Sequence, residues 1–259
     1  MRAIWSGAIG FGLVNIPVKL FSATQGSELD LDMLDKKDHG KIRFKRVNEN
    51  TGKEVEWANI VKGYNYDGKY IVLDDKDIEA AGAEKSKVIS IVEFCQEDQI
   101  DSIYYEVPYY LEPEKSGARA YALLREALEK SGRVGLAQFV MRTKESLAVL
   151  KPMKDVIVLN RIRFAEEIRE FKDLNLPENK EVKPAELKMA MSLIDQLTGN
   201  FDISEYKDTY TEKLMKVIEA KAHGKAPKVR EMKIAYSKSE DLMDQLKASL
   251  ETKKKRKAS

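Results

Sequence analysis

The chain has 259 residues, of which 43% are hydrophobic and 34% charged, and its formal net charge is +2. A mean hydropathy of −0.47, with no apolar run near the ~20 residues that a membrane span needs, argues against a membrane protein, and the opening MRAIWSGAIG lacks a basic-then-apolar leader. A single cysteine, Cys95, excludes an intramolecular disulfide framework and a multi-cysteine zinc site, and fits a reducing cytoplasm.

The near-neutral total hides a strongly divided charge. Residues 36–46 (KKDHGKIRFKR) carry 6 basic and 1 acidic residue, 70–115 carry 4 basic and 12 acidic, 116–172 carry 12 basic and 7 acidic, and 223–259 carry 11 basic and 5 acidic. Such concentration is the footprint of a protein that meets a polyanion on one face.

In chain order, residues 1–24 read as strand, because FGLVNIPVKLFS is rich in branched and aromatic residues and Pro17 opposes a helix. Residues 40–47 alternate, with Lys41, Arg43 and Lys45 on one face of a predicted strand and Ile42 and Phe44 on the other. This pattern fits either a solvated edge strand whose lysines discourage aggregation or a phosphate-facing ribbon. Asp67-Gly68 between two β-rich runs predicts a hairpin. Strands are predicted at 88–94 and 103–111, and a helix at 117–131 ended by Gly132. Three close strands at 134–142, 146–151 and 155–164 predict an antiparallel meander, hence a barrel or sandwich.

From residue 184 the pattern is helical. Pro184 suits a first helical position, and Leu187, Ala190, Met191, Ile194 and Leu197 form one apolar face. A second helix is predicted over 203–222, with Tyr206, Tyr210, Leu214 and Val217 on one side. A linker over 223–236 leads to a short amphipathic helix at 239–251 with Leu242, Leu246 and Leu250 on one stripe, and the chain ends in the basic run 253–257 (KKKRK).

Catalytic patterns are missing from the sequence. His39 and His223 are the only histidines and belong to no triad. Gly7, Gly10 and Gly12 do not make a dinucleotide fingerprint, and no phosphate-binding P-loop is present. Cys95 beside Phe94 reads as an inert, buried thiol. The acidic pairs Asp74/Asp75 and Glu97/Asp98 read as solvated faces rather than cation sites. The protein is therefore expected not to be an enzyme and to need no cofactor or metal.

Several motifs carry a family resemblance. Met1-Arg2-Ala3-Ile4-Trp5-Ser6-Gly7, Phe11-Gly12-Leu13-Val14-Asn15-Ile16-Pro17-Val18-Lys19, Ile42-Arg43-Phe44-Lys45-Arg46-Val47, Val61-Lys62-Gly63-Tyr64, Tyr109-Tyr110-Leu111-Glu112-Pro113 and Lys183-Pro184-Ala185-Glu186-Leu187-Lys188-Met189-Ala190 occur in order. Over about residues 1–222 the chain resembles bacterial Ku proteins. The resemblance implies a mixed β and α fold: a Ku-type β-barrel over 1–182, a DNA-encircling bridge inserted at about 25–100, and a helical dimerisation arm over 183–222. A C-terminal linker, short helix and basic tail occupy 223–259. It also implies a ring-shaped homodimer that binds the ends of double-stranded DNA in the nucleoid and recruits an ATP-dependent DNA ligase for non-homologous end joining. Some relatives carry a Cys-x-x-Cys pair where this chain has Asn48-Glu49-Asn50-Thr51, so no metal is expected there.

On this reading the leading DNA contacts are Lys36, Lys37, Lys41, Arg43, Lys45 and Arg46, with Lys53, Lys62, Arg142 and Lys144 as further candidates that fit a plain surface charge equally. Leu242, Leu246 and Leu250 are the expected ligase-facing anchors in a helix-in-groove mode. The acidic segment 70–115 is expected on the outside, away from phosphate. Two rivals remain: a metal-dependent DNA-processing enzyme, and a nucleoid-type protein that coats DNA laterally through basic patches and the lysine-rich tail.

Overall fold

Glycine sets the first turn. β1 (Trp5–Phe11) and β2 (Val14–Ser22) pair in antiparallel register through a two-residue loop, and Gly12 there has φ +59°. A positive φ at the first loop position suits glycine, as in a II′ turn. The computed structural model describes residues 1–81, 87–141, 144–177 and 182–224.

After β2 the chain leaves the sheet. It forms the hairpin β3 (Lys62–Tyr66) and β4 (Lys69–Leu73), then the short helix α1 (Asp75–Ala81). The hairpin turn is the expected Asp67-Gly68, with φ of 48° and 81°, the double positive φ that a type I′ turn requires. Helix α1 was not expected from the acidic run. Its start is a reciprocal cap: Asp74 N–H donates to Asp77 Oδ2 at 2.9 Å and Asp77 N–H to Asp74 Oδ1 at 2.8 Å.

The chain returns with β5 (Val88–Gln96) and β6 (Tyr105–Pro113), then helix α2 (Ala118–Ser131), β7 (Arg133–Met141), β8 (Lys144–Met153) and β9 (Val156–Ile162). The closed barrel runs in the order β1-β2-β6-β9-β8-β7-β5. The predicted meander is β7-β8-β9, antiparallel throughout. Closure comes from a parallel pairing of β1 with β5, Ala8 to Val88 through Gly10 to Ser90. Because β5 is a barrel strand, the insert ends before Val88 and not near residue 100.

Inward positions are aliphatic. Ile9, Ile16, Val18, Leu20, Ile89, Leu111, Leu150, Ile157 and Leu159 are fully buried, each worth about 1.5–3 kcal/mol of apolar transfer. Helix α2 adds Tyr121, Leu124 and Leu128 to the same core. Its N-terminus comes close to the barrel because Gly117 has no side chain; a Cβ there would lie 2.9 Å from Pro17 Cδ. Gly132 ends it in the left-handed conformation, φ 63°. The Tyr121 hydroxyl donates to the Leu111 carbonyl at 2.6 Å and accepts from the Ile157 N–H at 2.7 Å. Leu111 and Ile157 are register partners of β6 and β9, so one phenol stitches the ladder from the helix side. Burial pushes the Tyr121 phenol pKa up. Cys95 is half-buried, and burial followed by Glu93 raises its thiol pKa, which fits an unreactive cysteine.

A second compact unit comprises, among the described residues, 27–29, 172–177 and 182–224, the first ending at Phe171 rather than at 182. Within it α3 (Pro184–Leu197) starts at Pro184 as expected. Helix α4 spans Thr209–Ala222, later than the expected 203. Residues Ile203–Glu205 form a separate 3₁₀ turn instead. The cause is capping: the Asp208 carboxylate accepts from the Tyr210 N–H at 2.8 Å, fixing the helix start there. That bond, then one from Thr211, holds the Asp208 carboxyl below its usual pKa. Neither helix has a buried residue, and Leu187, Met191, Ile194 and Leu197 are all exposed.

Candidate nucleic-acid interface

The excursion between β2 and β5 carries the basic run. From residue 30 to 77 every residue is exposed except Val55, which is half-buried. No sheet is available to residues 42–46, so the predicted strand does not form. In its place stand two isolated bridges, Leu34 with Lys41 and Val47 with Glu54. They close two tight turns. In the first, Asp35 N–H donates to the Gly40 carbonyl at 2.8 Å and His39 has φ 58°. In the second, Asn48 N–H donates to the Lys53 carbonyl at 2.9 Å. The Asn48 side chain accepts from Asn50 N–H at 2.9 Å and Thr51 N–H at 3.1 Å, so an Asx turn shapes the loop without thiols. Residues 41–47 are thus the middle pass of a three-pass ribbon. Ile42 N–H reaches back to the Met33 carbonyl at 2.9 Å, and Val55 N–H to the Arg46 carbonyl at 2.8 Å.

The ribbon gathers most of the expected contacts. Lys36 and Lys37 lie in the first turn, where Lys37 N–H donates to Asp35 Oδ1 at 2.8 Å. Lys41 pairs with Asp32 at 2.7 Å and Lys45 with Glu54 at 2.6 Å. The Arg46 guanidinium lies over the Trp57 ring, 4.6 Å from its centroid. Arg43 has no ion pair among the described residues. Lys53 ends the second turn, and Lys62 opens β3.

Asp32, Glu54 and Trp57 are site neighbours that the sequence reading missed. A signal existed: with Leu34 opposite Lys41 and Glu54 opposite Val47, Asp32 and Glu54 are the diagonal neighbours of Lys41 and Lys45. Finding it requires knowing where each turn closes.

Lys144 does not belong to the ribbon. It opens β8, in a recess that Glu106, Glu145, Glu167 and Arg161 also line. Arg161 is held by Glu106 at 2.6 Å. Arg142 and the three leucines Leu242, Leu246 and Leu250 lie outside the described residues, as does the 253–257 tail. The acidic segment supplies pairing partners for barrel cations: besides Glu106, Glu97 pairs with Lys151. Among the described residues no three His, Cys, Asp or Glu side chains group so as to hold a metal ion, and no helix is long and apolar enough to cross a membrane.

A closed seven-stranded barrel that sends out an exposed ribbon carrying the basic run 36–46 between β2 and β5, its second and third strands in chain order, defines a narrow class. The family model described as the Ku70/Ku80 beta-barrel domain matches residues 10–189. The chain is 40% identical over 248 residues to the "Non-homologous end joining protein Ku" of Pseudomonas aeruginosa, covering 94% of this chain and 85% of that one. It is 37% identical over 264 residues to the protein of that name from Coxiella burnetii, covering 99% and 96%. The protein of that name from Bacillus subtilis is 38% identical over 255 residues, covering 97% and 82%. The chain belongs to the Ku family.

Proposed function

We propose that the protein binds the ends of double-stranded DNA without reading sequence, as a homodimeric ring that threads onto the duplex and recruits an ATP-dependent DNA ligase for non-homologous end joining. The observation that carries this reading is the state of the excursion: it holds the concentrated cations, and it leaves large apolar side chains in water. Phe44 is 81% exposed, Trp57 71% and Tyr70 74%. A two-stranded hairpin such as β3–β4 is marginal by itself, and exposed apolar surface of this extent marks an interaction face. A second copy, related by two-fold symmetry, covers such a face and closes the ribbon over a duplex. The bare faces of α3 and α4 offer the same partner a second surface.

Binding any end requires contacts to sugar and phosphate and not to base edges, which carry sequence. Lysine and arginine supply them, and affinity then comes largely from counterion release. End preference follows from topology, since a linear duplex threads a ring and a closed circle does not. In this reading the chain holds DNA and the ligase makes the bond; the C-terminal part after residue 223 recruits it.

Streptavidin on both biotinylated ends of a duplex tests the ring. Capping before protein is added should abolish binding, and capping afterwards should trap the protein against a salt challenge. Equal binding in the two orders would remove threading from the reading.

A further inference from the structure

The ribbon cancels part of its own charge at Lys41 and Lys45, within the basic run. Lys41–Asp32 and Lys45–Glu54 join the middle pass to the passes before and after it. All four side chains are more than half exposed, and exposed pairs add little to folding stability. Arg46 is engaged with Trp57. Arg43, between the two guarded lysines, carries no ion pair among the described residues. The two carboxylates therefore change what the ribbon presents to a polyanion far more than they change the fold.

We propose that Asp32 and Glu54 are intramolecular competitors for phosphate, which hold Lys41 and Lys45 in place and lower the ribbon's affinity for the duplex backbone. This rests on the reading that the ribbon faces DNA. Each lysine meets a phosphate by exchanging one anion for another, so it releases fewer condensed counterions than a free lysine does. A protein that must move along DNA after threading gains from such exchange, because neither lysine contact is made or lost at full strength. Arg43 supplies the unguarded contact between them.

The test uses the full chain and a short linear duplex, with affinity measured from 50 to 300 mM salt, a range on the order of that over which such contacts weaken steeply. The double variant Asp32→Asn/Glu54→Gln should bind up to about 60-fold tighter near 0.1 M salt. Its log–log salt slope should steepen by up to about 1.8, the contribution of two freed cations. The control Asp30→Asn/Glu49→Gln makes the same net-charge change at two acids that have no ion pair among the described residues; it should shift the slope by less than half as much. An unchanged slope, a slope equal to the control's, or weaker binding would overturn the proposal. The variant Lys41→Ala/Arg43→Ala/Lys45→Ala separates the two layers. If it shallows the slope while the acid variant is inert, only this inference fails; if it too is inert, the ribbon does not face DNA. Thermal melting checks that each variant is folded.

Discussion

Replacing Tyr121 by phenylalanine removes one oxygen atom and leaves two buried groups without a partner. The Leu111 carbonyl loses a donor at 2.6 Å and the Ile157 N–H loses an acceptor at 2.7 Å. Each orphaned group costs about 1–3 kcal/mol. Leu111 and Ile157 are register partners, so partial closure of the ladder between them offsets part of the cost. The expected loss is about 2–4 kcal/mol. At roughly 2–4 °C per kcal/mol for a domain of this size, the melting transition should fall by about 4–16 °C, read by circular dichroism or calorimetry. A companion Leu124→Ala, which removes a buried side chain from the same helix, should cost about 2–5 kcal/mol through a cavity instead. Burial also raises the Tyr121 pKa, so the folded state holds this proton more tightly than the unfolded chain does. That contribution is complete below the ordinary tyrosine pKa of about 10 and is lost as pH rises through the raised value. The wild type should therefore lose stability in alkali more steeply than the phenylalanine variant. A melting temperature within about 1 °C of wild type would refute the idea that this phenol joins β6 to β9.

Three further outcomes follow from the same structure. Gly7→Ala should destabilise the closure of β1 on β5 by about 1–3 kcal/mol through overpacking, because its Cβ would lie 2.2 Å from both the Trp5 ring and the Lys87 carbonyl oxygen; calorimetry reads this. Asp208→Ala should lower amide-exchange protection across the first turn of α4. The wild type should show the same loss on acidification, since a carboxyl held below its usual pKa stabilises above that usual value and stops doing so as pH falls through the lowered one. The triple change at Lys41, Arg43 and Lys45 to alanine should weaken DNA binding alike for all sequences and shallow the salt slope by up to about 2.7, measured by titration at several salt concentrations.

Local chemistry made much of this fold legible. The Asp67-Gly68 turn, Pro184 at a helix start, Gly132 at a helix end and the meander of β7, β8 and β9 each rest on residues close in sequence, and each stands as read. The parallel pairing of β1 with β5 was not legible, because it joins Ala8 to Val88 across the whole excursion and leaves no local trace. The alternation at 40–47 misled for a related reason. Period-two polarity makes a strand only where a neighbouring strand takes up its hydrogen bonds, and within this ribbon only single bridges do so. Asp74 and Asp77 carried a capping signal for α1 that the surrounding acidic run concealed. At the site, the cations were visible as a charge concentration, whereas Asp32 and Glu54 looked like background until the two turns placed them diagonal to Lys41 and Lys45. Lys144, read as flanking a barrel turn, opens β8 in a recess it shares with Glu106, Glu145, Glu167 and Arg161.

The most direct test of end binding by threading is a gel-shift competition at fixed salt. A labelled linear duplex bound by the protein is challenged with equal masses of unlabelled linear DNA and of relaxed, covalently closed circular DNA. We expect the linear competitor to strip the complex and the circle to leave it intact. Equal competition by the circle would contradict threading and would favour lateral coating of DNA through basic patches.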